Sequence, residues 1–462
     1  MRVEQSCRRI DRLRETIADW VARRQAADAL QQYQTQLATL GAVLGGCLAD
    51  LRAVVDAVPG GQPAPGVFGL CRDNDQRVEL VRKLFEHYRT RFDQRDTPAA
   101  GDVLRAADEI VWSCWAEPFR NAGRDRPDLP IAAAPLPYLE PGYAAAAIPR
   151  LAPSSDLETP ADDDVLQRSL ALLPLPLLAL PALCLDDPWW LVCVGHEVGH
   201  HLEYDLTGDL TVLAAFAEEV EAASLRAGAA RPDRWRSWSR EIFADVCSVL
   251  SMGPAAVHAV AQLELDDEQR MLDSQRAHHP PPLVRTGLLI EVARQLGVDA
   301  GAAAGPVDPG RVPAVTAEVD VARAVAAAAL AAPLGGHGPL SRYYDWEPAV
   351  YADRGLLWNM SEGLLGKAPL AVRPRLRSAR LLTAAAATAW RQVASIADPG
   401  RREALRRDLA GRYLAEVPRS REEGTRSARM AGASAPAVVQ TELTDLLLRA
   451  GSGATVDRQV AA

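Results

Sequence analysis

The sequence lacks an uninterrupted apolar run of the length that a membrane-spanning helix needs. Its most apolar stretch, residues 170–185, carries no charge but contains Pro174, Pro176 and Pro181. A spanning helix needs about 20 apolar residues, and each proline removes a backbone hydrogen bond that lipid cannot replace. We therefore expect buried extended chain at this stretch and no membrane insertion.

Excess positive charge is also lacking. The chain has 51 Lys+Arg against 60 Asp+Glu, which gives a formal net charge of -9. No overall basic field exists to attract a phosphate backbone, because that attraction comes from clustered lysine and arginine. The composition argues against nucleic acid as the main partner.

Paired cysteines and a secretion signal are missing as well. The 7 cysteines are widely spaced and form no CxxC pair, so neither a disulfide framework nor a thiolate zinc site is indicated. The first twenty residues are charged from Arg2 onwards and contain no apolar segment of the kind found in signal peptides. We expect a cytoplasmic protein.

What the chain does have is helical periodicity over its first 120 residues. The 462 residues are 48% hydrophobic and 24% charged, as in folded soluble proteins of several domains. Steps of three and four between apolar residues predict either two long helices or one long helix with a change of phase near Ala27. These helices either pack on the rest of the chain or form a coiled-coil contact with a protein partner. The apolar positions are Ile10, Leu13, Ile17 and Trp20, then Leu30, Tyr33, Leu37, Leu40, Leu44, Cys47, Leu51 and Val54.

Further patterns predict a mainly α (α+β) fold with a small sheet. Helices are expected around residues 76–92 and 102–119, loops and short strands over the proline-rich residues 125–164, and helices again from Asp187. The expected regions are a helical region at 1–124, a core region at 125–298, a linker at 299–316, a helical region at 317–417, and a polar linker, helix and disordered tail at 418–462.

One segment carries recognisable metal chemistry. Asp187 and Pro188 are typical of a helix start, with the Asp side chain as the cap, and His196 and His200 follow. Their spacing of four places both imidazoles on one helix face, as two ligands of one zinc ion require. In this HExxH pattern Glu197 is positioned to take a proton from water activated by the metal. The alternative is a polar, partly exposed helix face.

A third ligand is expected from a second helix at residues 235–250. The pattern with a further histidine six residues after His200 is excluded, because that position is Leu206. Glu241 and Asp245 instead share one stripe of an otherwise apolar helix. Glu241 would complete a His/His/Glu set, and Asp245 would accept from the free ring nitrogen of a ligand histidine. A solvated helix face is the alternative for both acids.

These residues resemble the gluzincin zinc metallopeptidases, which carry HExxH and a downstream ExxxD. The chain looks most like the CAAX prenyl protease and HtpX-type branch, because His279, Pro280, Pro281 and Arg285 match its His-Pro-Pro-x-x-x-Arg element. The resemblance implies Zn2+ as the cofactor, His279 as a donor to the oxyanion of the tetrahedral intermediate, and Arg285 as a support for the active-site helices. A proline-rich turn before a helix is the alternative.

The resemblance covers about a quarter of the chain. The membrane substrates of that branch cannot be carried over, since no membrane helix is expected here. We expect a soluble zinc metallopeptidase that acts on a protein or peptide. Two other functions stay open, a non-catalytic interaction protein on the same scaffold and a zinc hydrolase of a non-peptide amide or ester. Residues 175–180 are expected either as an edge strand that pairs with substrate or as a plain buried strand.

Overall fold

The structure of the chain is a computed structural model with extensive helix. It describes residues 2–58, 65–125, 133–142, 145–148, 168–169, 172–173, 175–206, 210–271, 279–300, 312–334, 338–346, 348–352, 355–370, 378–420 and 436–450. The chain divides into two compact units. The first comprises Met1–Asp96, Ile148–Leu177 and Gly424–Ala462, and the second comprises Thr97–Ala147 and Leu178–Glu423.

The first unit is built from long helices. The predicted pair at the N-terminus is two helices, because the 3-10 segment Asp28–Tyr33 separates them. Their apolar faces are buried, as the steps of three and four require: Ile10, Leu13, Leu37 and Leu44 are almost completely inaccessible. The helices of this unit are α1 (Arg2–Gln25), α2 (Gln34–Asp56), α3 (Pro65–Asp93) and α17 (Pro436–Ala450).

Among the described helices, α2 alone is long and apolar enough to cross a membrane by length and composition. Its most apolar window has a mean hydropathy of 1.5, and 44% of that window is buried inside the protein. The helix contacts α1, α3 and α17 of the same unit. A core helix of a soluble protein meets the same criteria, so this helix is weak evidence for a membrane.

The second unit combines the remaining helices with a small sheet. Its principal helices are α4 (Pro98–Asp125), α5 (Val194–Asp205), α6 (Leu210–Arg226), α7 (Pro232–Ser237), α8 (Ser239–Met252), α9 (Pro254–Leu263), α10 (Glu268–Met271), α11 (Pro282–Gln295), α12 (Pro313–Ala331), α13 (Pro348–Tyr351), α14 (Leu356–Leu364), α15 (Ala379–Ala394) and α16 (Pro399–Glu416). Together with the first unit, these helices confirm the predicted mainly α (α+β) fold class.

In the part of the chain that the structure describes, the sheet has three strands in the order β1-β3-β2. The strands are β1 (Leu136–Glu140), β2 (Ala146–Ile148) and β3 (Leu177–Pro181). All five residues of β3 are buried, which confirms buried extended chain for that part of the apolar run. Of the two alternatives for residues 175–180, the edge strand is wrong, because β3 has a partner strand on each side, and the plain buried strand is confirmed for Leu177–Leu180. Pro174 lies outside the described residues.

The helix start at Asp187 also differs from the expectation. Pro188–Cys193 forms a 3-10 helix, and α5 begins only at Val194. The Asp187 side chain precedes the 3-10 helix but does not cap it. It accepts a hydrogen bond from Nη1 of Arg406 at 2.7 Å, and a bond to a charged donor is stronger than one to a backbone amide.

The predicted domain boundaries stay predictions. Much of the predicted linker at 299–316, most of the predicted polar linker at the start of 418–462 and the predicted disordered tail at 451–462 lie outside the described residues.

Candidate metal centre

Helix α5 presents both predicted histidines on one face. His196 and His200 are one turn apart, and their Nε2 atoms lie 3.1 Å from each other. The two rings are almost perpendicular, with an interplanar angle of 88°. Two imidazole nitrogens therefore converge on one small volume, as the spacing of four predicts.

Helix α8 brings the third predicted ligand to the same place. The Glu241 carboxylate lies 3.5 Å from Nε2 of His196 and 3.5 Å from Nε2 of His200. The three possible ligand atoms lie within 4.8 Å of one another. Two imidazole nitrogens and one carboxylate oxygen are ligands that zinc accepts, and a three-ligand set leaves a fourth position for water or substrate. The residues therefore fit a metal ion.

Close packing of α5 on α8 sets this geometry. A Cβ atom on Gly199 would lie 2.7 Å from the Cα of Ala244, and one on Gly195 would lie 3.1 Å from the Met252 side chain. No side chain fits between the helix backbones at Gly199, so the two helices approach closely there. The histidines and Glu241 meet because of this approach.

A buried chain of charged groups fixes the orientation of His196. Asp245 lies 2.9 Å from Nδ1 of His196. The same carboxylate accepts from Nε and Nη2 of Arg285 at 2.9 and 2.8 Å, and Nη1 of Arg285 donates to Glu264 at 2.9 Å. When Nδ1 of His196 carries its proton toward Asp245, Nε2 keeps a free lone pair for a metal.

The charges of the cluster suit a cation. Burial opposes a charge on His196, but hydrogen bonds to Asp245 and Glu241 outweigh it and raise the pKa of His196 to about 10. Burial and the neighbouring His196 charge lower the pKa of His200 to about 3. Burial alone would raise the pKa of Glu241, yet bonds to His196 and His279 hold it far below its usual range. Without metal, a proton on His196 balances Glu241, and metal binding displaces such protons.

Glu197 is buried beside the cluster, with 7% of its surface exposed. Burial raises the pKa of its carboxyl group, while the charge of His196 and a hydrogen bond to the backbone of Ala147 in β2 lower it. A carboxylate with a raised pKa is a better proton acceptor in catalysis than an ordinary surface one. The strand β2 therefore contacts the predicted general base directly.

His279 and Arg285 also lie at the cluster, but differently from each other. Nδ1 of His279 is 3.2 Å from Glu241, and the histidine side chain is 51% exposed. Arg285 is buried and bonds to Asp245 of α8. The neighbouring His278 lies outside the described residues.

Two contributors were missed by the sequence reasoning. Gly199 could have been found from the sequence, since Gly195 and Gly199 stand four apart, each one residue before a histidine. Glu264 could not, because it is 21 positions from Arg285 and belongs to no motif.

Comparison with protein-family models, curated proteins and solved structures finds no match for this chain.

Proposed function

We propose that the protein is a zinc-dependent peptidase, with His196, His200 and Glu241 as the metal ligands and Glu197 as the general base. The observation that carries this proposal is the convergence of three ligand atoms from α5 and α8. Glu197, which is also on α5, adds a buried carboxyl group whose pKa is raised. A binding scaffold without catalysis needs no such base, so Glu197 favours an enzyme over a non-catalytic interaction protein.

The roles follow from the chemistry of each group. Zinc held at the cluster would lower the pKa of water and polarise a carbonyl group. Glu197 would take the proton from the attacking water and pass it to the leaving amine. Asp245 and Arg285 would keep His196 in the tautomer that binds metal. His279, half exposed beside Glu241, would donate to the oxyanion of the intermediate.

The decisive experiment compares the zinc-loaded chain with Glu197→Gln on an unfolded protein substrate. New amino termini are measured with and without a chelator. Because Glu197 is not a ligand, the variant is expected to keep its zinc and to lose hydrolysis by at least about 100-fold. Full activity in Glu197→Gln contradicts the base assignment.

A matched control separates a local charge effect from a catalytic one. Glu218 is an exposed acid that pairs with Arg236 at 3.6 Å, so Glu218→Gln is expected to retain full activity.

The same protein preparations are assayed on small esters and non-peptide amides. Zinc-dependent cleavage of those compounds with no new amino termini from protein would favour the hydrolase of a non-peptide substrate. No cleavage of any substrate by the zinc-bound chain would favour the interaction protein.

A further inference from the structure

Arg285 places a buried positive charge beside the candidate metal ligands. Its Nη2 atom lies 3.4 Å from Nε2 of His196 and 3.6 Å from the Glu241 carboxylate. A guanidinium group stays charged at every working pH. At this distance it repels a divalent cation and competes with that cation for Glu241. Binding of a metal therefore depends on how the Arg285 charge is compensated.

Within the described residues, the carboxylates of Asp245 and Glu264 contact Arg285 in addition to that of Glu241. The Asp245 carboxylate accepts hydrogen bonds from Nε and Nη2 of Arg285 and also bonds to His196. Its negative charge is therefore shared between two partners. Glu264, which directly follows α9, accepts from Nη1 at 2.9 Å. Glu264 therefore contacts Nη1, whereas Nη2 is the nitrogen that lies against the metal ligands.

We propose that Glu264 is a positioning residue that sets the metal affinity of the centre by neutralising Arg285 and keeping its guanidinium group on Asp245. With Glu264 present, the group of Asp245, Arg285 and Glu264 carries one net negative charge, which attracts a cation. Without it the group is neutral, and Glu241 becomes the second anionic neighbour of the guanidinium. This inference rests on the proposed metal centre and adds to it a residue outside every motif.

The test is a zinc titration of the full chain, stripped of metal and competed against a chelating dye. Glu264→Gln is expected to bind Zn2+ roughly 10-fold more weakly, at the lower end of the 10–100-fold loss that follows removal of a direct partner of a ligand residue, because Glu264 acts through Arg285. Asp266→Asn is the matched control, since Asp266 is an exposed acid that pairs with Arg270. It is expected to keep the wild-type affinity.

A double-mutant cycle shows whether Glu264 acts through Arg285. In the Arg285→Met background the guanidinium is absent, so adding Glu264→Gln is expected to change zinc affinity much less than it does in the wild type. An equal loss in both backgrounds would mean that Glu264 acts on the metal directly, and it would overturn the positioning role.

The outcomes separate this inference from the proposed centre. If the wild-type chain binds no zinc, the centre itself is wrong. If the wild type binds zinc and folded Glu264→Gln binds it equally well, the role of Glu264 alone is overturned. Should Glu264→Gln not fold, the titration is made on Glu264→Asp, whose shorter side chain loosens the contact with Nη1. Weaker binding is expected there, and wild-type affinity overturns the role.

Discussion

Gly199 of α5 lies so close to Ala244 of α8 that a Cβ atom on the glycine would come within 2.7 Å of the Ala244 Cα. That atom belongs to the backbone and cannot move aside as the end of a flexible side chain can. The two helices approach each other most closely at Gly199, and Gly195, one turn earlier, is also in close contact with α8. This close approach also determines how far Glu241 stands from the histidines.

Gly199→Ala is expected to destabilise the protein by about 1–3 kcal/mol, because overpacking in a tight interface outweighs the better helix propensity of alanine. It is also expected to weaken zinc binding, since α5 must move away from α8. Denaturant unfolding and zinc titration measure the two effects.

Gly411→Ala is the control for this substitution. Gly411 is in α16 of the same unit, and a Cβ atom there would meet nothing within 4 Å. This variant is expected to gain about 0.5–1 kcal/mol from helix propensity. A similar gain in Gly199→Ala would contradict the close approach of the two helices.

Local periodicity is sufficient for some of the fold and not for the rest. The steps of three and four in α1 and α2 could be read directly, because each helix buries a face that the sequence marks. The central place of β3 could not, since strand order depends on pairing with β1 and β2. The bond between Asp187 and Arg406, 219 positions apart, is equally invisible to a local pattern.

The candidate site, like the fold, could be predicted from the sequence only in part. The spacing of four predicts that His196 and His200 share a face, because helix geometry alone decides it. That Glu241 reaches them from another helix was suggested by motif resemblance, and it depends physically on Gly199. Nothing in the sequence around Glu264 marks it as part of a site. Its contact with Arg285 forms only when α9 and α11 pack together.

Asp245→Asn is predicted to weaken zinc binding by roughly 10–100-fold. Asp245 is fully buried and is an acceptor for Nδ1 of His196, which leaves Nε2 free for metal. An asparagine can donate to that nitrogen instead, and the ring then carries its proton on the atom that should bind zinc. Zinc titration of the folded variant measures the change.

Asp408→Asn is the control for the loss of one acid, since Asp408 is exposed on α16. It should titrate with zinc like the wild type. Unchanged zinc affinity in folded Asp245→Asn would show that Asp245 does not set the tautomer of His196.

Zinc is predicted to raise the melting temperature of the chain in a concentration-dependent way. A ligand that binds only the folded state adds about 2.7 kcal/mol of stability at a free concentration of 100 times its Kd. His200→Ala removes one ligand atom and should abolish most of the shift. His258→Gln should preserve it, because the metal cluster does not include His258. Equal shifts in both variants, measured by thermal scans with and without chelator, would place zinc elsewhere.

The last prediction concerns acid stability and a different histidine, His87 of α3. Burial, with the nearby charge of Arg91, lowers the pKa of His87 to about 3, and its Nε2 atom has no hydrogen-bond partner within the described residues. The folded state therefore holds this ring neutral, whereas the unfolded chain protonates it near pH 6.5. Its contribution to stability is fully present above pH 6.5 and is lost as the pH falls toward 3.

His87→Leu removes this proton uptake while keeping the position apolar. The free energy of unfolding of the wild type, relative to that of the variant, is expected to fall by about 1.4 kcal/mol for each pH unit below 6.5. Urea unfolding at pH 7.5, 6.0 and 5.0 measures the difference, and the value at pH 7.5 isolates the change in packing. A difference that stays constant over this range would mean that His87 binds its proton equally in the folded and unfolded states.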